Sequence, residues 1–491
     1  MATSTSGIAD RAAAIVGAEH VVTDAERRRY FSTDLSFEPT ETASLVVAPG
    51  SPEELAALVR VAHEAGLPVV PRGGGMSYTK GYTPAHEQSV LVDMRRCNRI
   101  EEINLTDGYV TVQGGVTWEE LYEALRAQGV RTPYYGPLSG RYATVGGALS
   151  QNSVFWGAAR HGTLAESVLS MEVVTGSGRV VRTGTAGRRG STPFFRWFGP
   201  DMTGVFVGDT GALGIKARAT LRIFPFPAHT AHHSLAVADF AAAIDCMQAV
   251  GRFGIATEVY NLDPFYADTM VKAGLTVLAD HPWSVHFTVD GASEAIVAAG
   301  IEVLADAAAP FGEPIDPIVP AVFRDDPFGA VQSVLLGPEG QIWLPIHAVL
   351  PYSRAQESAR AVKAFEEENR AALDAHGIKI SYLTLSSQND FLFEPAFYWF
   401  DELGEFRLER ISEEAAGTWS SIPADQDARS VVLDLRRRLA RVFDELGAVH
   451  IQIGKYYEYQ SMLEPELLGL VRAIKTELDP DGLVNPGSLG F

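Results

Sequence analysis

The sequence predicts an α+β protein whose β-rich first half is followed by a second domain of strands and long helices. Three observations carry this prediction. The 491 residues are too many for one hydrophobic core. Strand and helix patterns alternate to about residue 226 and end in a long β-rich run with glycine turns. From residue 227 onward, strands precede long amphipathic helices.

The elements of the first half follow in chain order. "ASLVVAP" predicts a strand, "SPEELAALVRVAHEAG" a helix with Ser51 as N-cap and Glu54 at the capping-box position, and "LPVVPRGGG" a strand entering a glycine loop. The strands "SVLVDM" and "YVTVQGGVTW", the helix "EELYEALRAQG" and the run "VLSMEVVTGSGRVVRTG" continue the mixed pattern. At the end of the chain, "LLGLVRAIKTELDPDGLVNPGSLGF" predicts a helix stopped by Pro and Gly and docked on the rest of the protein.

Charge and composition exclude several classes of partner. The net charge of −21 and the pI near 5.0 would repel nucleic acid and anionic membranes. With only Cys97 and Cys246, a disulfide framework is excluded. The N-terminus lacks the pattern of a signal peptide, and no stretch is long and apolar enough to span a bilayer. We therefore expect a cytoplasmic protein with a small-molecule substrate and no nucleic-acid or membrane partner; a homodimer is left open.

Three glycine-rich segments lie in the first half. "PRGGGMSYTKGY" (71–82), "ATVGGALSQNSVFWGAARHGT" (143–163) and "GDTGALGI" (208–215) could each be an ordinary turn. Glycine also allows main-chain N–H groups to approach a ligand closely, and phosphate is the obvious candidate. The first segment fits neither a Walker A loop nor the G-x-G-x-x-G fingerprint. Three such segments in order favour a binding site over three unrelated turns.

Taken as a set, the segments resemble a known family. The stretches that carry the resemblance are "LVVAPGSPEELAALVRVAHEAGLPVVPRGGGMSY", "VTVQGGVTWEELYEAL", "TVGGALSQNSVFWGAARHGTLAESVLSMEVVTGSGRVVRTG", "FVGDTGALGIKARATLRIFPFP" and "LDPDGLVNPGSLG". They are similar to flavoproteins of the vanillyl alcohol oxidase / p-cresol methylhydroxylase superfamily. The resemblance implies a PCMH-type FAD-binding domain of two subdomains (1–226), an α/β cap or substrate domain (227–445) and a C-terminal segment (446–491) that returns to the FAD domain.

The same resemblance implies which residues hold FAD. The pyrophosphate is expected on the loop of Arg72, Gly73, Gly74, Gly75, Met76 and Ser77. Residues expected along the dinucleotide are Thr144, Gly146, Gly147, Ser150 and Asn152, with Gly162 and Thr163 near the isoalloxazine. The adenosine side is expected to pack against Gly208, Gly211 and Ile215, and the returning "NPG" contributes Asn485.

Departures from the family pattern bear on how the flavin is held. Relatives that bond FAD covalently place His where this chain has Met76, or Cys where it has Tyr142, and the cap stretch "SSQNDFLFEPAFYWF" contains no histidine. We therefore expect non-covalent FAD. Thr163 stands where vanillyl alcohol oxidases have an aspartate beside flavin N5, which puts water addition to a quinone methide in doubt.

No metal is expected in the site. The H-x-G-D-G-N-x-H pattern of the D-2-hydroxyacid dehydrogenases in this superfamily is absent. His347 and His450 are each solitary, without closely spaced ligands. His347, flanked by apolar residues, fits a core histidine better than a catalytic one.

On the substrate side, "HIQIGKYYEY" (450–459) alternates as a strand would, with His450 and Tyr456 on one face. Phenol-oxidising relatives supply a tyrosine and an arginine from this segment; Tyr456 matches the tyrosine, and Tyr457 replaces the arginine. Tyr78 would complete a cradle from the FAD side. Packing of these tyrosines in a half-buried cluster is the alternative.

The resemblance implies an FAD-dependent oxidoreductase that transfers a hydride from a substrate carbon to flavin N5. For a para-substituted phenol or aromatic alcohol, Tyr456, Tyr78 and the cation Lys455 would promote loss of the phenol proton. The alternative is an alcohol or 2-hydroxyacid dehydrogenase in which His450 acts as the base. A third reading is an FAD-binding protein that has lost turnover.

Overall fold

The computed structural model describes residues 5–491, with side chains described from residue 7 onward. Its first sheet has the order β1-β2-β4-β3, with β2, β3 and β4 parallel and β1 antiparallel to β2. The three parallel strands are buried along their whole length, as strands covered on both faces must be. The elements are α1 (Thr5–Val16), β1 (Val21–Val22), α2 (Ala25–Phe31), β2 (Leu45–Val47), α3 (Pro52–Glu64), β3 (Val69–Arg72) and β4 (Val90–Asp93).

The second sheet is antiparallel, with the order β5-β6-β10-β8-β9, and β7 pairs with β11 beside it. Helix α5 packs on β10. The elements are β5 (Ile100–Asn104), β6 (Tyr109–Gln113), α4 (Trp118–Arg126), β7 (Val130–Arg131), α5 (Val145–Gln151), α6 (Ala158–His161), β8 (Val168–Val174), β9 (Val180–Arg182), β10 (Ile215–Arg222) and β11 (Phe224–Pro225).

The third sheet has eight antiparallel strands in the order β15-β12-β14-β13-β18-β19-β16, with β17 also paired to β19. Helices α7 and α9 pack against each other and on this sheet. The strands are β12 (His229–Val237), β13 (Glu258–Leu262), β14 (Ser284–Gly291), β15 (Gly312–Ile315), β16 (Ile342–Pro345), β17 (Ala348–Pro351), β18 (Lys379–Ser387) and β19 (Asp390–Trp399). The helices are α7 (Phe240–Gly251), α8 (Pro264–Lys272), α9 (Glu294–Ala308), α10 (Ile318–Asp325), α11 (Tyr352–Glu368), α12 (Arg370–Ala375), α13 (Gly404–Leu408), α14 (Glu413–Trp419), α15 (Gln426–Glu445) and α16 (Pro465–Leu478).

The segment after α16 lies against the first sheet. Val69 N donates to Leu483 O at 2.8 Å, and Asn485 N donates to Val69 O at 2.8 Å. The Asn485 amide also donates to Gly81 O (2.7 Å) and Thr210 O (2.8 Å). One buried side chain thus ties the end of the chain to the glycine loop and to the third glycine-rich segment.

Two local expectations need correction. Ser51 caps α3 by accepting from Glu54 N at 3.1 Å, but the Glu54 carboxylate accepts from Gly50 N, so the capping box is not closed. The strand predicted at 450–459 is wrong. Gln452 and Gly454 have φ of 51° and 63°, and the segment turns so that Gln452 N donates to Gln151 O at the end of α5 and Lys455 N donates to Thr79 O of the glycine loop.

None of the described helices combines the length and the apolar character needed to cross a membrane.

Candidate functional site

Two cavities meet at the glycine loop. The larger comprises about 910 Å³, part of it open to solvent, and lies between the loop, α5 and residues of the third sheet; the smaller, about 360 Å³ and also partly open, lies between the loop and the start of β10. Five residues line both: Arg72, Gly73, Tyr82, Thr144 and Gly147. The two cavities therefore form one elongated site whose middle is the glycine loop.

Glycine is required at this middle because two segments approach backbone to backbone. A Cβ on Gly74 would lie 1.8 Å from the carbonyl oxygen of Tyr142, and one on Gly73 would lie 2.3 Å from Thr144 Oγ1. Gly75 has a φ of 76°, which favours glycine. The glycines thus serve first to seat the loop on the segment that begins α5, and through that contact they shape the site.

Several polar atoms in the walls are buried and have no partner among the described residues. They are Arg72 Nη1, Tyr82 Oη, Gln151 Oε1 and Trp343 Nε1. Burial lowers the pKa of Arg72 to about 10, so its guanidinium remains charged at neutral pH. Since buried polar groups normally have partners, these atoms fit a polar, anionic ligand such as the pyrophosphate and ribityl parts of FAD.

Most residues that the resemblance assigned to FAD lie on the cavity walls. The larger cavity is lined by Arg72, Gly73, Gly74, Gly75, Met76, Ser77, Thr144 and Gly147, and the smaller one also by Gly146, Ser150 and Ile215. Lys216, which the sequence analysis did not single out, lines the smaller cavity and is ion-paired with buried Asp209.

Other assigned residues stand behind the walls. Asn152 Oδ1 accepts from Ala165 N, and Gly208 N donates to Leu149 O. The Asn485 amide donates to Gly81 O and Thr210 O, as described for the overall fold. The residues assigned to FAD that line neither cavity are Asn152, Gly162, Thr163, Gly208, Gly211 and Asn485. The described contacts of Asn152, Gly208 and Asn485 support the loops that form the walls.

The end of the larger cavity that the third sheet forms holds a tyrosine–carboxyl pair. Tyr78 Oη donates to Glu394 Oε2 at 3.3 Å, and the Tyr78 ring packs edge-on against Trp343, with centroids 5.3 Å apart. Burial, partly offset by the hydrogen bond from Tyr78, raises the pKa of Glu394 to about 7. Burial and the charge of Glu394 raise the pKa of Tyr78 well above 10. Near neutral pH the carboxyl group, and not the phenol, can exchange a proton.

Sequence reasoning missed Glu394. It lies on β19, within the cap stretch "SSQNDFLFEPAFYWF" that contains no histidine. One signal could have found it: "FLFEPAFYWF" places a single acidic residue in an otherwise apolar strand, and such a carboxyl must be partnered or neutral. Gln452, also missed, lines the larger cavity at the tip of the turn that replaces the predicted strand.

His450 lies outside the cavities in a buried cluster. Its Nδ1 is 2.7 Å from His347 O and its Nε2 is 2.8 Å from Asp444 Oδ1, so both ring nitrogens face acceptors. Its ring stacks on Tyr457 at a centroid distance of 3.9 Å. Burial lowers the pKa of neighbouring His347 to about 3, which keeps that ring neutral. The arrangement leaves no nitrogen of His450 directed at a substrate.

Tyr456 and Lys455 also lie off the cavity walls. The Tyr456 ring packs on the guanidinium of Arg436, 4.5 Å from its centroid. Lys455 Nζ donates to Thr83 O (2.5 Å) and Asn485 Oδ1 (3.0 Å). Of the four residues proposed from sequence as catalytic, the structure brings only Tyr78 to the cavity.

Within residues 5–491 no group of three or more His, Cys, Asp or Glu side chains is arranged to hold a metal ion.

Comparison with known proteins identifies the first half. Residues 43–184 match the model of a family described as an FAD-binding domain. A probable mitochondrial D-lactate dehydrogenase of Danio rerio is 30% identical over 259 residues. That match covers 53% of this chain and 50% of the relative, so this chain matches about half of the relative's length.

Two further comparisons extend over nearly the whole chain. A D-2-hydroxyglutarate dehydrogenase of Xanthomonas citri pv. viticola is 27% identical over 475 residues, which is 94% of this chain and 92% of the relative. The crystal structure of p-cresol methylhydroxylase with substrate bound superposes with a TM-score of 0.77 at 16% identity, covering 99% of this chain and 96% of that one. The likeness to p-cresol methylhydroxylase shows that this chain has the same fold.

A matched FAD-binding domain and an elongated, glycine-centred site with unpaired polar walls define a flavoprotein with FAD as its cofactor. Within that class, the whole chain has the fold of p-cresol methylhydroxylase. The expected α+β fold, with a PCMH-type FAD-binding domain, is confirmed.

The backbone contact at Gly74 gives a first prediction. Gly74→Ala should weaken FAD binding at least about tenfold and lower the free energy of unfolding by about 2 kcal/mol or more, because the new Cβ would overlap Tyr142 O. The measurements are flavin titration of the apoprotein and denaturant unfolding.

The matched control is Gly417→Ala, since Gly417 is an exposed residue of α14 with no atom within 4 Å of its Cβ position. That change should leave FAD binding intact and stabilise the protein by up to about 1 kcal/mol. Equal behaviour of the two variants would contradict the proposed role of the backbone contact.

The buried carboxyl gives a second prediction. The pKa of Glu394 is about 7 in the folded protein and near 4.5 in an unfolded chain, so folding takes up a proton between these values. The stabilising contribution is fully present below pH 4.5 and is lost as pH rises through 7, by about 3 kcal/mol in total. Unfolding of the wild type and of Glu394→Gln, followed from pH 5 to 8, should show the wild type losing more stability. Parallel pH profiles would contradict a raised pKa at Glu394.

Proposed function

We propose that the protein is an FAD-dependent oxidase or dehydrogenase of an uncharged aromatic substrate, either a para-substituted phenol or an aromatic alcohol. The observation that carries this proposal is the Tyr78–Glu394 pair in the wall of the larger cavity. Trp343 and Phe155 line the same cavity and offer aromatic surface to a ring.

FAD would lie along both cavities, with its pyrophosphate beside Arg72 and the loop of Gly73 to Gly75 and its adenosine toward Ile215 and Lys216. Bound FAD supplies the two-electron acceptor that oxidation of such a substrate requires. The unpaired Arg72 Nη1 would donate to the phosphate oxygens.

Glu394 is the proton acceptor in this proposal. Ionised Glu394 takes the hydroxyl proton of the substrate, and Tyr78, which donates to the same carboxyl group, fixes the orientation of that group. A pKa of about 7 suits a base at neutral pH. This assignment moves the acid–base role from Tyr456, Lys455 and His450, all off the cavity walls, to a residue of β19.

The charge of the walls favours a neutral substrate. Among the described residues of the larger cavity, Arg72 is the one basic side chain and Glu394 the one acidic side chain. With Arg72 engaged by pyrophosphate, a substrate carboxylate would meet Glu394 without a compensating cation.

A 2-hydroxyacid dehydrogenase is the second candidate. The names of the relatives from Danio rerio and Xanthomonas citri favour it. Under this reading Arg72 would bind the substrate carboxylate as well as the cofactor, and Glu394 would accept the proton of the 2-hydroxyl group.

The domain division at residues 226 and 445 is part of the proposal. It is supported by the position of residue 226 between β11 and β12, where the third sheet begins, and by the end of α15 at Glu445. The cytoplasmic compartment and the exclusion of nucleic-acid and membrane partners remain predictions from charge and composition.

Non-covalent attachment of FAD is also proposed. Among the described residues that line the two cavities there is no histidine or cysteine, and Met76 lies in the wall of the larger one. Acid precipitation of the holoprotein should therefore leave the flavin in the supernatant. A yellow pellet, with flavin fluorescence on a denaturing gel, would show a covalent bond.

Substrate class is tested by anaerobic flavin bleaching with 4-hydroxybenzyl alcohol, 4-methoxybenzyl alcohol, D-lactate and D-2-hydroxyglutarate. We expect bleaching by 4-hydroxybenzyl alcohol and little by its methyl ether, because the ether has no phenol proton for Glu394 to accept. Glu394→Gln should slow the reaction by about 100-fold or more, the usual contribution of a general base. Admission of air then distinguishes an oxidase from a dehydrogenase.

Each other outcome selects an alternative. Equal bleaching by both benzyl alcohols would make the benzylic hydroxyl, and not the phenol, the group that loses its proton. Bleaching by the hydroxy acids alone would establish the second candidate. A flavin that no substrate of this panel reduces would support the reading of a protein without turnover.

A further inference from the structure

The loop that follows β9 exposes a group of aromatic side chains. Phe194, Phe195, Trp197 and Phe198 are each between 45 and 60% exposed. The ring centroids of Phe194 and Phe195 are 6.4 Å apart, and those of Phe195 and Trp197 are 5.6 Å apart. Single exposed apolar residues are ordinary, but a contiguous group of them marks an interaction surface. We refer to residues 183–202 as the aromatic loop.

Buried polar contacts hold the aromatic loop in place. Arg196 is buried, and its guanidinium donates to both carboxylate oxygens of Asp201 and to Ala165 O. Thr185 N donates to Phe195 O at 2.9 Å, and Phe195 N donates to Thr185 Oγ1 at 3.1 Å. The usual placement is therefore inverted, because the charged residue lies inside and its aromatic neighbours lie outside.

Unpaired positive charge lies in the same loop. Residues 179–202 contain five arginines and one acidic residue. Three of these arginines form ion pairs. The other two, Arg188 and Arg189, are exposed, form no ion pair with any residue whose side chain the structure describes, and line an open groove together with Arg182. A chain of net charge −21 thus presents a face that combines positive charge with aromatic surface.

This composition fits a lipid surface. Segments that lie in a lipid–water interface combine Arg with Trp and Phe, whose rings enter the headgroup region while the cations meet anionic lipid. The prediction against anionic membranes rests on the charge of the whole chain, but at physiological ionic strength charges more than about 8 Å from the lipid are largely screened. A second copy of the chain fits less well, because a symmetric contact through this loop would bring Arg188 and Arg189 of both copies together.

We propose that the aromatic loop docks the protein on the surface of a membrane that contains anionic phospholipid. The four exposed rings enter the interface, and Arg188 and Arg189 bind the lipid headgroups. For this one face, the proposal replaces the prediction of no membrane partner. It is independent of the proposed function, because no residue of the aromatic loop lines either of the two cavities at the glycine loop.

The first test is sedimentation of the holoprotein with vesicles, with the bound fraction measured by flavin absorbance. The vesicles are phosphatidylcholine alone or phosphatidylcholine mixed with phosphatidylglycerol. We expect binding to the mixed vesicles that weakens as salt is added, and much less binding to phosphatidylcholine alone. Absence of binding to the mixed vesicles would overturn the proposal. Equal binding to both would also overturn it, since the anionic charge would then play no part.

A double variant tests the arginines. Arg188→Gln/Arg189→Gln should weaken binding to the mixed vesicles by about tenfold or more, since each arginine near an anionic surface contributes about fivefold. The matched control is Arg360→Gln/Lys363→Gln, which removes the same charge from exposed positions of α11. The control should bind like the wild type. Equal losses in the two double variants would mean that only the net charge matters and would contradict docking through this loop.

A second double variant tests the rings. Trp197→Ser/Phe198→Ser should weaken binding to the mixed vesicles by about tenfold, because the apolar area that enters the interface is lost. The control is Phe253→Ser/Phe400→Ser, in which two rings of 44 and 46% exposure are removed elsewhere, and it should leave binding unchanged. All variants are compared at equal flavin content, so that a loss of fold is recognised.

Light scattering without vesicles tests the other occupant. A dimer that Trp197→Ser/Phe198→Ser converts to a monomer, together with no binding to vesicles, would make the aromatic loop an interface between two copies and would overturn membrane docking. Flavin reduction by a substrate does not enter any of these measurements, so failure of the docking proposal leaves the proposed function standing, and the reverse also holds.

Discussion

The approach of two backbones at the glycine loop is the constraint on which the rest of the site depends. Because Gly74 leaves no room for a Cβ beside Tyr142 O, and Gly73 none beside Thr144, the loop is seated on the segment that starts α5. Three of the wall residues common to both cavities lie at this contact: Gly73, Thr144 and Gly147. Asn485, from the far end of the chain, then fixes the continuation of the loop at Gly81. The site is therefore completed only when contacts of very long sequence separation have formed.

The second constraint is a buried cation that forms no ion pair with any residue whose side chain the structure describes. Arg72 is fully buried, and its guanidinium is held by Thr33 O and by the faces of Phe31 and Phe406, 5.6 and 5.4 Å away. Asp93, the nearby carboxylate, is engaged by Arg95. An uncompensated buried charge destabilises a fold, so an anion bound there stabilises the whole protein. This local arrangement explains how a chain of net charge −21 can hold a diphosphate.

The features that could be predicted from the sequence are those set by the types and spacing of neighbouring residues. The glycine loop, the order of the glycine-rich segments and the strands around them follow from residue type and spacing, and these carried the family resemblance and, through it, the expectation of FAD. The segment 450–459 shows the limit. Its alternation is typical of a strand, but Lys455 N and Gln452 N bond to Thr79 O and Gln151 O, contacts that no local pattern specifies. The local sequence marks Glu394 as a lone carboxyl group in an apolar strand, but its pairing depends on the distant Tyr78 that it meets.

The hydrogen bond from Tyr78 to Glu394 joins the two halves of the chain at the larger cavity. The tyrosine comes from the glycine loop and the carboxyl group from β19, so the pair exists only when the third sheet closes over the first half. Arg436 of α15 reinforces that closure by donating to the Tyr78 and Pro345 carbonyls. The enclosure that assembles the pair is also what buries Glu394 and raises its pKa. In the proposed function, proton acceptance near neutral pH therefore has a physical cause in the exclusion of water from a single carboxyl group.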